Sequence, residues 1–172
     1  MKRILYTLVA TAILLTSSIS ATPAIADTSN PYGTSTVDPA GPNEVILTIS
    51  KGKRSVSFAF TRLEKMKQSS VSIYEPFLKK RQQFSAIPFA KLFALAGISG
   101  KDKVVTEALN DYKFTATAEQ FIAAGALLAI KRDGSPIGYD QGGPIRIIFT
   151  DKSKWAKNLD AWNWSLATIS VK

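Results

Sequence analysis

The sequence predicts an α+β fold that is mainly β and carries a few short helices. Several short segments alternate apolar and polar residues, as strands with one buried face do. Turn-forming residues such as Asp-Gly separate some of these segments. Between them lie short stretches with helical apolar spacing or helix-capping residues. The chain of 172 residues is long enough for one domain with a substantial core.

The first part of the predicted domain forms strands and turns. Residues Glu44–Ser50 alternate in polarity and predict a half-buried strand. The turn Lys51–Lys53 allows Ser55–Phe60 to pair back as a hairpin. A further alternating strand is predicted over Ser70–Tyr74, and the basic segment Leu78–Gln83 is predicted to be a loop.

Two short helices follow from local signals. The first is predicted over Arg62–Lys67, with Thr61 as N-cap and Glu64 at the capping-box position. The second begins at Pro88, which suits a first helical turn, and ends at Gly97, which suits a C-cap. Its apolar face is expected to be buried and consists of Phe89, Leu92, Phe93 and Ala96.

A third helix and the remaining strands complete the predicted domain. Thr117 is expected to cap the helix Ala118–Ala124, with Gln120 at the capping-box position. The nearly apolar segment Ala126–Lys131 predicts a central strand, and Asp133-Gly134 predicts a turn after it. The other predicted strands are Lys103–Leu109, Lys113–Ala116, Ile145–Thr150 and Trp164–Val171.

The start of the chain is typical of a secretory signal peptide. Met1–Arg3 is positively charged, Ile4–Leu15 is an apolar run, and Ala24–Ala26 fits the rule of small residues at a cleavage site. We therefore expect a signal peptide over residues 1–26, with cleavage after Ala26. The expected product is a secreted or periplasmic protein with no stable membrane insertion after cleavage.

Two further segments are expected after cleavage. Residues 27–43 are rich in Ser, Thr, Pro and Gly and are predicted to form a flexible leader. Residues 44–172 are predicted to form the folded domain. The formal charge of the whole chain is +9, which can steer an anionic partner or a membrane surface. Nucleic acid is not expected as a partner, because the chain is exported and has no basic-aromatic strand motif.

The composition also limits the chemistry. The chain has no cysteine, so it offers no disulfide, thiolate nucleophile or thiolate metal ligand. It has no histidine, which is the commonest general base and metal ligand. No group of Asp and Glu residues has the spacing of a hard-cation site. The sequence therefore predicts no catalytic residues and no metal site.

One stretch contains a candidate binding site. Asn110, Asp111 and Tyr112 place an amide, a carboxylate and an aromatic ring at the predicted end of a strand. This combination can hold a flat heterocycle that forms hydrogen bonds at its edge. The same residues also occur in ordinary turns, where Asn and Asp side chains bond to the backbone. Both interpretations remain open at this stage.

The order of several motifs resembles a known family. Ala108–Tyr112, the Gly142–Pro144 turn before an apolar strand, and the closing segment Trp164–Val171 are similar to the molybdopterin-binding domain of the sulfite oxidase superfamily. The small, secreted, stand-alone members are the most similar. The resemblance spans Val45–Lys172 and implies a sulfite oxidase-like fold and a pterin ligand.

The chain departs from the catalytic members at one important position. Those members have a molybdenum-binding cysteine near the end of the strand that corresponds to Ser72–Glu75, and this chain has none. The resemblance therefore implies a pterin that is not metal-bound, including a reduced one, rather than the molybdenum cofactor.

The pterin edge and faces suggest individual contacts. Asp111 or Glu75 can accept the two neighbouring N–H groups of the ring, and Asn110 can bond to its carbonyl group. The aromatic candidates for the walls are Tyr112, Trp155, Trp162 and Trp164. A phosphate or hydroxylated tail can meet Lys79, Arg81 or the amides of Gly142 and Gly143.

Several of these residues can also have a purely structural role. Trp164 can belong to the core, and Gly142-Gly143 can serve only a close backbone approach.

The resemblance implies an exported, non-catalytic pterin-binding protein that relays pterin to the periplasmic domain of a membrane sensor of cyclic-di-GMP metabolism. The alternatives are a molybdopterin-dependent oxidoreductase and a ligand-free protein-interaction module.

Overall fold

A computed structural model of the chain describes residues 40–172. The predicted signal peptide and residues 27–39 of the predicted leader lie outside the described residues. No helix in the described part is long and apolar enough to cross a bilayer.

Residues 40–172 form two β-sheets and three short α-helices, which confirms the predicted mainly β α+β fold. The helices are α1 Phe60–Glu64, α2 Phe89–Ala96 and α3 Ala118–Ala123. The strands are β1 Val45–Lys51, β2 Arg54–Ala59, β3 Ser69–Glu75, β4 Lys80–Pro88, β5 Lys103–Ala108, β6 Lys113–Thr117, β7 Leu127–Arg132, β8 Ser135–Pro136, β9 Arg146–Ile148 and β10 Leu166–Val171.

The first sheet has the strand order β2-β1-β10-β5-β6. Its centre is β10, which pairs in parallel with β1 and antiparallel with β5. In the parallel pair, Thr48 lies opposite Thr168 and Ser50 opposite Ser170. The last strand of the described chain therefore completes a sheet that the first strand began.

The second sheet has the order β3-β4-β7-β8, and β9 also pairs with β7. One edge of β7 pairs with β4, and the other is shared by β8 and β9. Its residues Leu128, Ala129 and Ile130 are buried. The prediction of a central, nearly apolar strand in this region is confirmed.

Helix α2 connects the two sheets. Its predicted apolar face is buried, and the helix contacts β1 and β2 of the first sheet and β4 of the second. Gly97 ends the helix in the left-handed conformation with a φ of 72°, which glycine adopts without a steric penalty. The N–H of Ile98 then donates to the carbonyl oxygen of Phe93 at 2.9 Å.

Aromatic side chains continue this core toward the segment after β9. Phe121 of α3 stacks on Phe89 with 5.6 Å between ring centroids. Trp155 packs edge-on against Phe121 at 5.4 Å and against Phe149 at 5.7 Å, and Phe149 contacts Trp162 at 5.7 Å. Trp155 therefore packs against the core, although its polar neighbours in the sequence suggested a ligand-facing wall.

The first helix differs from its prediction. It covers Phe60–Glu64 instead of Arg62–Lys67, and its N-cap is Ala59, which makes no side-chain hydrogen bond. Glu64 pairs with Lys131 of β7 at 2.7 Å instead of completing a capping box. The contact with β7 is distant in sequence, so local capping signals did not contain it.

The loop predicted over Leu78–Gln83 is also wrong, because β4 begins at Lys80. Strand β4 pairs with β3 in a regular ladder, with Arg81 opposite Tyr74. Gln82 is buried between exposed neighbours, as the alternation of a strand requires. Backbone pairing thus stabilises a segment whose long polar side chains favour a loop.

The capping box at α3 is confirmed. Thr117 Oγ1 accepts the backbone N–H of Gln120 at 3.2 Å, and Gln120 Oε1 accepts the backbone N–H of Thr117 at 2.8 Å. These bonds satisfy donors at the start of the helix that have no partner within the helix.

Thr117→Ala should therefore lower the free energy of unfolding by about 1 kcal/mol, measured by urea denaturation. Thr61→Ala is the matched control, because the predicted capping role of Thr61 is not realised and alanine is the better helix former. Equal losses in both variants would contradict the capping role of Thr117.

Candidate ligand-binding site

A buried ion pair lies beside the candidate site. Glu75 at the end of β3 and Arg146 of β9 are both fully buried, and Glu75 Oε1 lies 2.6 Å from Arg146 Nη2. The second oxygen of Glu75 accepts the backbone N–H groups of Phe77 and Leu78 at 2.9 and 2.6 Å. The pair therefore holds the turn after β3 against β9.

The same arginine supports an aromatic pair. Its guanidinium carbon lies 5.1 Å from the ring centroid of Trp164, within range of a cation–π contact. The ring of Phe77 meets Trp164 edge-on, with 3.8 Å between centroids. Arg146 Nη1 also donates to the carbonyl oxygen of Gln141 at 3.3 Å. The position of Trp164 thus depends on a charge in the protein interior.

Trp164 lines a cavity of about 320 Å³, which we call the Trp164 cavity. Such a volume lies at the small end of the range for ligand pockets, ~300–1,000 Å³. The cavity combines aromatic walls with an amide and a carboxylate. Its lining residues are Phe77, Ala108, Asn110, Tyr112, Leu159, Asp160, Trp162 and Trp164.

Hydrogen bonds shape one side of this cavity. Asn110 Oδ1 accepts the backbone N–H of Tyr112 at 3.3 Å, and the Tyr112 hydroxyl donates to the carbonyl oxygen of Asp160 at 2.9 Å. Burial first, and the charge of Asp160 second, raise the pKa of Tyr112. The tyrosine thus stays protonated and joins the turn after β5 to the Leu159–Ala161 turn, a short 3₁₀ helix.

The amino-acid sequence of this chain matches a known protein family. Residues 42–165 match the family model described as the oxidoreductase molybdopterin binding domain. The chain belongs to that family. The predicted sulfite oxidase-like, molybdopterin-binding type of domain is therefore confirmed, and the match covers most of the domain expected over residues 44–172.

This molybdopterin-binding domain is also similar to a solved structure, the sulfane dehydrogenase SoxCD from Paracoccus pantotrophus. The TM-score is 0.60 at 12% sequence identity, over 78% of this chain and 39% of that chain. At this identity the likeness concerns the fold alone, and this chain spans well under half the length of its neighbour. No curated protein matches the sequence significantly.

The structure brings four of the predicted site residues together in the molybdopterin-binding domain. Asn110, Tyr112, Trp162 and Trp164 all line the Trp164 cavity. Asn110 also forms the turn contact that was the alternative interpretation, but its amide N–H₂ group remains available to a ligand. Trp162 is nearly buried and contacts the core, so it is both a core residue and a wall of the cavity.

Two predicted carboxylates are placed differently. Both oxygens of Glu75 are engaged in buried contacts, so it cannot offer them to the edge of a pterin. Asp111 is exposed, has a φ of 64° in the turn after β5, and does not line the cavity. The acid that lines the cavity is Asp160, which the sequence reasoning missed. Asp160, Trp162 and Trp164 occupy every second position in the sequence, and this spacing was the signal that could have identified Asp160.

Gly143 has a backbone role in this geometry. It is buried, and its N–H donates to the carbonyl oxygen of Gly138 at 2.9 Å. A Cβ atom at this position would lie 2.0 Å from the carbonyl oxygen of Ile137. The close backbone approach, which was the alternative interpretation, is the one that these distances support. The bond from Gly143 to Pro144 is cis.

Arg81 lies outside the Trp164 cavity, in the hairpin of β3 and β4. Its Nη2 atom forms an ion pair with Asp151 Oδ2 at 2.6 Å, while Asp151 Oδ1 accepts the backbone N–H of Tyr74 at 2.8 Å. The Tyr74 N–H first, and Arg81 second, lower the pKa of Asp151 below its usual value of 3.8. Asp151 therefore links this hairpin to the segment after β9.

The donor set of the Trp164 cavity fits a flat organic ring. Aromatic faces suit the ring, while an amide and a carboxylate suit its edge. The chain has no cysteine or histidine, so it cannot hold molybdenum through a protein thiolate. Among residues 40–172, no group of three or more acidic residues is arranged to hold a metal ion.

Breaking the buried ion pair should be costly. Glu75→Ala leaves Arg146 buried without its carboxylate, so the free energy of unfolding should fall by about 3–5 kcal/mol in urea denaturation. The double variant Glu75→Leu/Arg146→Met removes both charges and should be more stable than Glu75→Ala.

The partly exposed pair of Glu107 and Lys113, at 3.1 Å, provides the matched control. Glu107→Ala should cost no more than about 1 kcal/mol, because solvent screens such pairs. If Glu75→Ala and Glu107→Ala were equally mild, the ion pair would not be the support described above.

The ion pair of Asp151 predicts a pH dependence. A carboxyl group whose pKa is lowered by folding stabilises the fold above its unfolded value, and this contribution disappears as the pH falls through the lower, folded value. Asp151→Asn should therefore lower the melting temperature near pH ~7, and the difference from the unmodified protein should shrink as the pH falls below 3.8, the ordinary value of the pKa. A difference that is unchanged in acid would exclude the carboxylate charge as its cause.

Proposed function

We propose that this molybdopterin-binding domain binds a pterin in the Trp164 cavity and does not catalyse a reaction on it. The observation that carries the proposal is the convergence of four aromatic side chains, one amide and one carboxylate on a single cavity. The family match supports a pterin-type ligand. The absence of cysteine from the sequence supports a ligand without a thiolate-bound metal.

The proposed contacts follow from the chemistry of the ring. The Asp160 carboxylate accepts the two neighbouring N–H groups of the aminopyrimidinone edge, as a charge-assisted bidentate acceptor does. The Asn110 amide donates to the ring carbonyl. Tyr112 and Trp164 cover the faces of the ring, and a stacked base is worth ~1–3 kcal/mol. A bound reduced pterin would itself supply an oxidisable ring.

Asp160 replaces Asp111 as the proposed acid because of its position. Its backbone carbonyl already accepts the Tyr112 hydroxyl, so the turn that carries it is tied to the opposite wall. The side chain is exposed, and it forms no ion pair within residues 40–172. A ligand can therefore reach the carboxylate without displacing a cation.

The proposal extends to a relay. The predicted signal peptide supports export, and an exported protein that binds a ligand without converting it can deliver that ligand to a receptor. We propose the periplasmic domain of a membrane sensor of cyclic-di-GMP metabolism as that receptor, in keeping with the resemblance to small secreted members of the superfamily.

Binding is tested with tetrahydrobiopterin as the probe, by thermal melting and calorimetry under anaerobic conditions. The melting temperature should rise saturably with the probe. Asp160→Asn keeps the size of the side chain and removes its charge, so affinity should fall about tenfold to a hundredfold. Asp111→Asn is the matched control and should bind as the unmodified protein does.

Other outcomes would contradict particular parts of the proposal. An unchanged melting temperature with the probe would contradict pterin binding. A loss of affinity in Asp111→Asn but not in Asp160→Asn would show that the carboxylate that binds the pterin is in the turn after β5. Stoichiometric molybdenum in the purified protein would favour the oxidoreductase. For the relay, Asp160→Asn should change cellular cyclic-di-GMP as deletion of the protein does, whereas Asp111→Asn should not.

A further inference from the structure

A second and larger cavity lies next to the first. It has a volume of about 480 Å³ and shares Leu159 and Trp162 with the Trp164 cavity. The β3–β4 hairpin contributes Tyr74 and Lys79, and the segment after β9 contributes Lys157. We call it the Lys79 cavity. Of the residues that the sequence suggested for a ligand, it contains Trp162 and also Lys79, which was a candidate contact for a phosphate tail. The groups proposed to hold the pterin ring, Asn110, Tyr112, Asp160 and Trp164, do not line it, so the ring site does not account for this cavity.

The Lys79 cavity has a mainly apolar lining. Phe149 and Trp162 are nearly buried and pack together with 5.7 Å between ring centroids. Tyr74 and Leu159 also line it and are 50% and 47% exposed, which is high for large apolar side chains. Exposed apolar groups beside a concave surface are typical of a binding site. The lining therefore favours a ligand with an apolar body.

Its charged groups are mainly positive. Lys79 and Lys157 are exposed, and neither forms an ion pair within residues 40–172. The acid in the lining, Asp151, is already engaged by Arg81 at 2.6 Å and by the backbone N–H of Tyr74. Two ammonium groups therefore remain for an anion, while the carboxylate is neutralised by a neighbour.

Several contacts hold the two walls of this cavity in place. Asp151 bonds the hairpin to the segment after β9 through both of its oxygens. Ser153 Oγ donates to the carbonyl oxygen of Ala124 at 2.6 Å, and Trp162 Nε1 donates to that of Trp155 at 3.3 Å. These contacts fix the segment that carries Lys157, so the cavity is formed before a ligand arrives.

We infer that the Lys79 cavity binds a small organic anion, with an aliphatic or aromatic body and one carboxylate, sulfonate or phosphate group. The body lies against Phe149, Trp162 and Leu159, and the anionic group lies between the ammonium groups of Lys79 and Lys157. This site is separate from the proposed pterin site, because its carboxylate is held by Arg81 and it contains no amide side chain for a pterin edge.

The test compares two fluorescent probes of similar shape. Anilinonaphthalene sulfonate carries a negative charge, and phenylnaphthylamine is the corresponding uncharged compound. The sulfonate should bind more tightly to the unmodified protein, and its affinity should fall as salt is added, because salt screens the lysines. In Lys79→Ala/Lys157→Ala its affinity should fall roughly tenfold, while binding of the neutral probe should hardly change.

A double variant of two other exposed lysines is the matched control. Lys53→Ala/Lys101→Ala removes the same total charge from residues that do not line the cavity, and it should leave both affinities unchanged. Displacement of the sulfonate by decanoate would indicate an aliphatic body, and displacement by benzoate an aromatic one.

Three outcomes would overturn the inference. Equal affinities for the two probes would show that the negative charge of the ligand contributes nothing to binding. An equal loss of sulfonate affinity in the two double-lysine variants would show that only the net charge of the protein matters. The third is loss of sulfonate binding in Tyr112→Ala but not in Lys79→Ala/Lys157→Ala, which would place the probe in the Trp164 cavity. None of these outcomes depends on whether the domain binds tetrahydrobiopterin.

Discussion

The ion pair of Glu75 and Arg146 connects the parts of the protein on which the candidate site depends. Both groups are fully buried, so breaking the pair would leave an uncompensated charge in the protein interior. One oxygen of Glu75 fixes the turn that carries Phe77, and the guanidinium group of Arg146 contacts the ring of Trp164. A charge pair in the interior thus sets the wall of a cavity at the surface. This arrangement favours a site that is rigid before a ligand binds.

The segment after β9 contributes residues to both the Trp164 cavity and the Lys79 cavity. It is anchored by Asp151 at its start and by the core contacts of Trp155 in its middle. Its Leu159–Ala161 turn then separates the two cavities, and Leu159 and Trp162 belong to both. Ligands in the two proposed sites would therefore contact some of the same side chains. The irregular segment provides this shared boundary because no strand ladder restricts its path.

The family match and the composition together describe a domain that has the fold of its family but contains no cysteine thiolate to bind a metal. The fold needs the two sheets, the connection through α2 and the close backbone approach at Gly143, and none of these requires sulfur. Binding of a flat ring needs aromatic faces and hydrogen-bonding groups, which line the Trp164 cavity. Holding a metal through a thiolate needs cysteine, which the chain does not contain. The fold and the ligand chemistry are thus separable in this protein.

The sequence by itself determined the features that depend on neighbouring residues. The capping box of Thr117, the end of α2 at Gly97 and the central strand β7 follow from patterns within a few positions. Four residues of the cavity were also predicted, although the same reasoning wrongly assigned Trp155, which packs against the core, to a wall of the site. Only the tertiary structure paired Glu75 with Arg146, 71 positions apart, and turned the polar segment at Lys80 into a strand. It also brought Asp160, rather than Asp111, to the cavity. Such choices depend on which distant segments meet when the core is packed, and local preferences carry little information about those meetings.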